Sequence, residues 1–258
     1  MTQVRKFWPI LTATYRYEKT LSTRNRGHGV MIEAPILAYL IETAQGRILY
    51  DVGCDYRKLA DPVQRQRHYG GFAFGAPAMS EAQCLPARLA ALGLSSKDVD
   101  LVFLGHLHFD HAGGLHDFAH AEVHVHGREL VAAREPADIA YFADDFAGNY
   151  RWRQQQAEYD LVPGVRAIET PGHTAGHMSL LVELPEGAPI LLCGDAADLA
   201  ENLADEIAPG LCWRDDETMA VASIRLLKQR AAATGAELWP NHDMSFFRRK
   251  DRFPHWHS

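Results

Sequence analysis

The segment 105–114, Gly-His-Leu-His-Phe-Asp-His-Ala-Gly-Gly, places His106, His108, Asp110 and His111 within six residues. Imidazole suits zinc and other borderline cations and carboxylate suits harder ones, so a site mixing the two can hold a pair of cations that share one water. A water shared in this way is a nucleophile at neutral pH, and the chemistry it serves is hydrolysis. Six residues cannot close such a site, and three later segments offer what is missing. They are Pro171-Gly172-His173-Thr174-Ala175-Gly176-His177, Cys193-Gly194-Asp195 and Pro240-Asn241-His242-Asp243, each after a strand-like run or a turn signal.

The elements that must position these residues are legible in outline. The apolar run 101–104 reads as a buried strand, and Gly113 and Gly114 as a tight turn beyond it, so the first cluster sits at a strand's C-terminal end. Residues 34–43 and 47–52 flank Ala44-Gln45-Gly46 as a hairpin. Residues 61–77, with Gly70-Gly71 and Pro77, read as a long loop able to lie over a pocket. Ser80 precedes a helix over 81–92, with Leu85, Leu89 and Leu92 at helical spacing and Gly93 as its stop. A strand over 122–126 and a helix over 129–134 follow, and 138–159 is aromatic and polar without a clear period. Strands over 165–170, 179–184, 190–193 and 236–239 and a helix over 215–234 complete the order. Strands followed by a helix, twice over, point to two sheets packed between helices, with the candidate ligands on strand-end loops.

The 258 residues, 47% hydrophobic and 23% charged, fit one globular domain spanning 1–258. No apolar stretch approaches the roughly 20 residues of a membrane span, so no membrane partner is expected. A net charge of -7 disfavours nucleic acid, and the basic patch of Arg248, Arg249, Lys250 and Arg252 reads as a solvated tail. The first ten residues lack the apolar core of a secretory signal, and Cys54, Cys84, Cys193 and Cys212 form no CxxC pair. Together these features predict a cytoplasmic protein with reduced thiols.

His106, His108, Asp110 and His111, followed by His173, Asp195 and His242, resemble the HxHxDH signature and later ligands of the metallo-β-lactamase superfamily, in the same order and over nearly the whole chain. The resemblance implies an α/β fold, the αβ/βα four-layer sandwich with two β-sheets between helices. It also implies two Zn2+ per chain, with Mn, Co or Fe as other candidates. On that resemblance His106, His108 and His173 hold metal 1, Asp110, His111 and His242 hold metal 2, and Asp195 bridges them. An anionic bridge is what two cations roughly 3.5 Å apart require. His177 reads as a support for a ligand rather than a ligand, and His116, His120, His124 and His126 as structural. Asp51, ending Arg-Ile-Leu-Tyr-Asp, matches a position where the superfamily usually has Asp, and is expected to orient ligand histidines.

Within the superfamily, APILAYLIET, HLHFDHAGG, TPGHTAGH and the late NHD are most similar to the N-acyl homoserine lactonases. That branch implies a hydrolase that opens the lactone ring of N-acyl homoserine lactones, the reaction of quorum quenching, by attack of a metal-bridging hydroxide. Asp110 is the expected proton carrier between the nucleophile and the leaving oxygen. One departure stands out: those lactonases usually carry tyrosine three residues after the bridging aspartate, where this chain has Asp198. Tyr69, Phe72, Phe74, Tyr141 and Phe142 are the aromatics available to fill that space, unless a different ring is bound. The alternatives are therefore a lactonase for another ring, such as a vitamin-derived lactone, and a phosphodiesterase or other ester hydrolase with Arg151 and Arg153 as phosphate partners. The expected partner is a small-molecule lactone, and the aromatic loops leave a homodimer open.

Overall fold

Alternation along the strands decides the architecture. The computed structural model describes residues 2–135 and 138–258. One sheet contains, in spatial order, β1 (Val4–Glu18), β2 (Met31–Thr43), β3 (Gly46–Tyr50), β4 (Leu101–Phe103), β5 (Glu122–His126) and β6 (Arg151–Gln155). The first three strands are antiparallel and β3 to β6 are parallel. The other sheet is built from β7 (Tyr159–Val162), β8 (Val165–Glu169), β9 (Met178–Val182), β10 (Ile190–Leu192) and β11 (Glu237–Trp239) in the order β11-β10-β9-β8-β7. Here β7 to β10 are antiparallel, and β11 returns parallel to β10 after the helix Glu217–Thr234.

Leu37, Tyr39 and Ile41 of β2 point to one side and join Met178, Leu180 and Val182 of β9 and Ile190 and Leu192 of β10 in the core between the sheets. Ala38 and Leu40 point to the other side and pack with Leu85 and Leu89 of the helix Leu85–Ala91. Leu181 and Leu191 leave the second sheet on its outer face to meet Ile224 and Leu227 of Glu217–Thr234. Because side chains alternate at a period of two, each strand serves an inner and an outer core, and the layers run helix, sheet, sheet, helix. No helix among the described residues is long and apolar enough to cross a membrane.

Several local expectations are corrected. The strand β1 went unread in the sequence, although Phe7 faces the inner core while Trp8 and Ile10 face the outer one. Residues 61–77 are not all loop, because Pro62–Tyr69 is a helix. Asp61 accepts the amides of Val63 and Gln64 at 2.8 and 2.9 Å, and Pro62 fits the first turn where no donor is needed. The helix over 81–92 is broken: Glu81–Gln83 is a 3-10 turn, Cys84 is extended, and Leu85–Ala91 restarts the helix with Pro86 in its first turn. The span 138–159 contains the short helix Ala143–Phe146 and the edge strand β6, whose mostly exposed residues give no alternation to read. The basic residues Arg248, Arg249 and Lys250 form the last turn of the helix Met244–Lys250, where cations complement the helix dipole.

Every candidate ligand follows a strand end at the seam between the sheets: His106 to His111 after β4, His173 after β8, Asp195 after β10 and His242 after β11. Gly113 was read as a turn residue, yet its φ of -58° is helical and available to any residue. Its missing side chain matters for closeness, since a Cβ there would lie 2.5 Å from the Asp55 amide nitrogen and 2.9 Å from the Cys54 carbonyl carbon. Backbone cannot swing aside as a side chain does, so Gly113→Ala should destabilise the fold by about 1–3 kcal/mol, the usual cost of overpacking. Urea denaturation checks this, and an unchanged or higher midpoint would refute it.

Candidate metal centre

Each of the seven predicted residues arrives at one buried cluster, and each imidazole but one is fixed by a hydrogen bond on its far nitrogen. His111 Nδ1 lies 2.7 Å from Asp51 Oδ2, His173 Nδ1 lies 3.1 Å from the Leu211 carbonyl, and His242 Nδ1 lies 2.8 Å from the Pro35 carbonyl. A carbonyl or carboxylate can only accept, so these rings carry a proton on Nδ1 and turn Nε2 inward, toward the place a cation would take. His108 is reversed: Nε2 meets Asp138 Oδ2 at 3.0 Å, leaving Nδ1 inward, 3.1 Å from His173 Nε2. His106 is the exception, fully buried with neither ring nitrogen hydrogen-bonded.

Asp195 lies at the centre. Its Oδ2 is 3.7 Å from His106 Nε2 and 3.4 Å from His173 Nε2, while its Oδ1 is 3.3 Å from His111 Nε2 and 3.2 Å from His242 Nε2. Each oxygen thus faces a different pair of imidazoles, the arrangement a bridging carboxylate needs. Asp110 approaches the second pair, with Oδ2 at 3.8 Å from both His111 Nε2 and His242 Nε2. Ligand atoms of His106, His108 and His173 lie within 4.8 Å of one another, and so do those of Asp110, His111 and His242.

The ionisation states follow from this crowding. Burial, reinforced by His111, holds His106 well below the usual imidazole range. Burial opposes a charge on His242, but Asp195, Asp198 and Asp110 together outweigh it and push the ring up to about 10. Burial likewise opposes charge on His111, which Asp195, Asp51 and Asp110 raise well above its ordinary value. Asp195 is desolvated, yet His111, His242 and His106 keep its carboxyl far down. Buried imidazole nitrogens without partners, packed around carboxylates, are costly by themselves and are the expected donor set for divalent cations. The residues fit a dinuclear metal centre.

Glu129, which the sequence did not single out, and His177, Asn241 and Asp51, which it did, hold this arrangement. The Glu129 carboxylate, completely buried, accepts from the Leu107 amide and Tyr141 hydroxyl on one oxygen and from the Thr174 hydroxyl and Gly176 amide on the other. It therefore ties together the segments carrying His106, His108 and His173. His177 is a support: its Nε2 accepts the Asp195 amide at 2.9 Å and its Nδ1 meets Thr170. Asn241 donates to Asp195 Oδ1 at 2.9 Å. Asp51 also accepts the Gly105 amide at 2.8 Å, and its φ of 59° is one that aspartate tolerates better than most residues.

Above the cluster opens a cavity of about 520 Å³ whose floor includes His173 and whose walls include Tyr15, Leu21, Phe72, Phe74, Ile139 and Trp213. Phe109, between the candidate ligands His108 and Asp110, also lines it. Tyr69 and Phe142 do not; they pack edge-to-face and stacked against Phe109 from behind. Tyr141 stands over His108 with ring centroids 4.6 Å apart. Arg151 and Arg153 lie on the edge strand β6, paired with Glu122, and line neither this cavity nor the cluster.

Residues 32–232 match the family model of the Metallo-beta-lactamase superfamily. The chain is 32% identical to an N-acyl homoserine lactonase of a Bacillus species over 88% of its own length and 89% of that protein's. It is 33% identical to the N-acyl homoserine lactonase AttM of Azorhizobium caulinodans, covering 85% of this chain and 86% of the other. Among solved structures it resembles an N-acyl homoserine lactone hydrolase with the product N-hexanoyl-L-homoserine bound at the catalytic metal center, at a TM-score of 0.89, 28% identity and complete coverage of both chains.

Cation binding to this cluster must displace protons, because His242 holds one up to about 10. Apparent affinity should therefore rise with pH until about 10. In the cation-free protein the same raised value contributes stability that is fully present below the ordinary 6.5 and is lost as pH rises through about 10. Titration calorimetry in buffers of different ionisation enthalpy reads the proton release directly, and zero release at pH 7 would contradict the assignment.

Proposed function

Since this chain belongs to the metallo-beta-lactamase superfamily and is a metal-dependent hydrolase, we propose that it opens the lactone ring of N-acyl homoserine lactones, the reaction of quorum quenching. The observation that carries this reading is the contact between a two-position metal cluster and an apolar cavity of about 520 Å³ sharing His173 and Phe109 with it. That volume falls in the range of small-molecule sites, and its aromatic and aliphatic walls suit an acyl tail while the polar ring lies at the cluster. Curated relatives over most of the chain carry the same activity in their names.

His106, His108 and His173 are assigned to the first cation, Asp110, His111 and His242 to the second, and Asp195 to both. Zinc is the proposed metal at these imidazole-rich positions, with Mn, Co and Fe as alternatives. Two such cations, when bound, polarise a carbonyl and bring a shared water to a pKa near neutrality. The chain's own contribution is orientation and proton movement. Tyr15, Leu21 and Phe109 line both the cavity and the smaller space at the cluster, and so direct an acyl chain away from the metals. Asp110 Oδ2 stands beside the inward nitrogens of His111 and His242, and its side chain lines the small space at the cluster. From there it takes a proton from the attacking water and returns it to the ring oxygen as the ester C–O bond breaks. A phosphodiester reading loses support because Arg151 and Arg153 are committed to Glu122 on the far edge of the sheet. The chain is proposed to act as a single domain over 1–258 in the cytoplasm, a setting in which its four free cysteines remain reduced.

The zinc-loaded protein should open N-hexanoyl and N-decanoyl homoserine lactones and leave an aryl phosphodiester essentially untouched, as read by acid release at constant pH. Hydrolysis of the phosphodiester alone would overturn the substrate assignment. Asp110→Asn should lower kcat by about 100-fold or more while two metals remain by elemental analysis. Near-wild-type turnover with intact metal would remove Asp110 from the proton path.

A further inference from the structure

The carboxylate of Asp198 is 5% exposed, and its Oδ1 has no hydrogen-bond partner. Ordinary proteins rarely leave a buried carboxylate oxygen unpaired, since desolvation without compensation is costly. Its position is not accidental, because the His242 amide donates to the Asp198 carbonyl at 2.8 Å and the Asn241 amide to the Ala197 carbonyl at 3.1 Å. Two strand-end loops, after β10 and β11, are thereby locked side by side, with Asp198 held against the His242 ring. Ligand atoms of Asp195, Asp198 and His242 all lie within 4.8 Å of one another, the spacing of groups that share one cation. Asp198 also lines the small space of about 80 Å³ bounded by Asp110, Asp195 and His242.

We propose that Asp198 is a further ligand of the second cation, the one assigned to Asp110, His111 and His242, and makes that position the harder of the two. This rests on the assignment of the cluster as a dinuclear centre. With Asp198 included, the second position has three carboxylates (Asp110, Asp195 and Asp198) and two imidazoles, whereas the first has three imidazoles and the shared Asp195. Oxygen donors suit manganese-like cations and imidazoles suit zinc, so the two positions differ in the metal they favour. Charge points the same way. Two divalent cations bring four positive charges into a buried site, and Asp198 offers a third carboxyl beside those of Asp110 and Asp195, deprotonated on binding.

The test uses metal-stripped full-length protein titrated separately with Mn2+ and Zn2+, with Mn2+ followed by electron paramagnetic resonance and both metals counted by elemental analysis. The wild type should bind two ions of either metal. Asp198→Asn, nearly isosteric, should weaken Mn2+ at one of the two positions by at least tenfold, weaken Zn2+ there by less, and leave the other position unchanged. Mn2+ affinities within twofold of wild type at both positions would overturn the proposal, as would equal losses for both metals. Asp198→Ser carries the same expectation should the asparagine variant fail to fold. Lactone opening by the zinc-loaded wild type is measured alongside: its absence overturns the substrate reading and leaves the metal result standing. Fewer than two ions bound to the wild type would overturn the dinuclear assignment and this proposal with it.

Discussion

Everything around the site is arranged to keep one carboxylate in the midst of four imidazoles. Asp195 is held by its own amide on His177 and by an Oδ1 contact from Asn241, and its two oxygens face different histidine pairs. Removed from water, such an assembly is stable only if each ring is in the right tautomer and the charges balance. The far nitrogens of His111, His173 and His242, and of His108 beside them, are therefore spoken for by Asp51, the carbonyls of Leu211 and Pro35, and Asp138, and His106 alone is left without a partner. Two of these four partners are backbone atoms, so part of the site's electrostatics is written in chain geometry and not in side chains.

The same constraint explains the fold's long-range connections. No sheet could supply the cluster alone: β4 of the first sheet contributes one ligand segment, and the ends of β8, β10 and β11 of the second contribute the other three. Glu129, just after β5, is the fastener between them, satisfying donors beside His106, His108 and His173 with a single carboxylate. A buried carboxylate with four donors is a strong, geometrically specific tie, and its removal would leave those donors unpaired.

That these seven residues converge was legible because ligation demands particular residue types at particular intervals, and strand-end motifs are contiguous. Asp51 and His177 were legible for the same reason, each standing beside a motif. Glu129 and Asp138 were not, because a glutamate in the first turn of a short helix looks like any solvated glutamate until the fold buries it. The sandwich was legible from β2, β4, β9 and β10, whose residues face a core on both sides. The strand β6 and the helix Pro62–Tyr69 were hidden, since solvent-facing elements carry little periodic signal and their position is settled by pairing with β5 and by the Asp61 cap. Asp198 was visible as a departure from tyrosine, but its burial and its placement against His242 are products of packing.

His173 donates its orienting hydrogen bond to the carbonyl of Leu211, a residue of the cavity wall. Because that acceptor belongs to the backbone, exchanging the side chain at 211 reshapes the wall while leaving the acceptor in place. Insertions or deletions in 207–216 would instead carry the carbonyl away from the ring. The wall can thus diversify by substitution but not by length, which confines the evolution of substrate range in this loop to side-chain chemistry on a backbone of constant span.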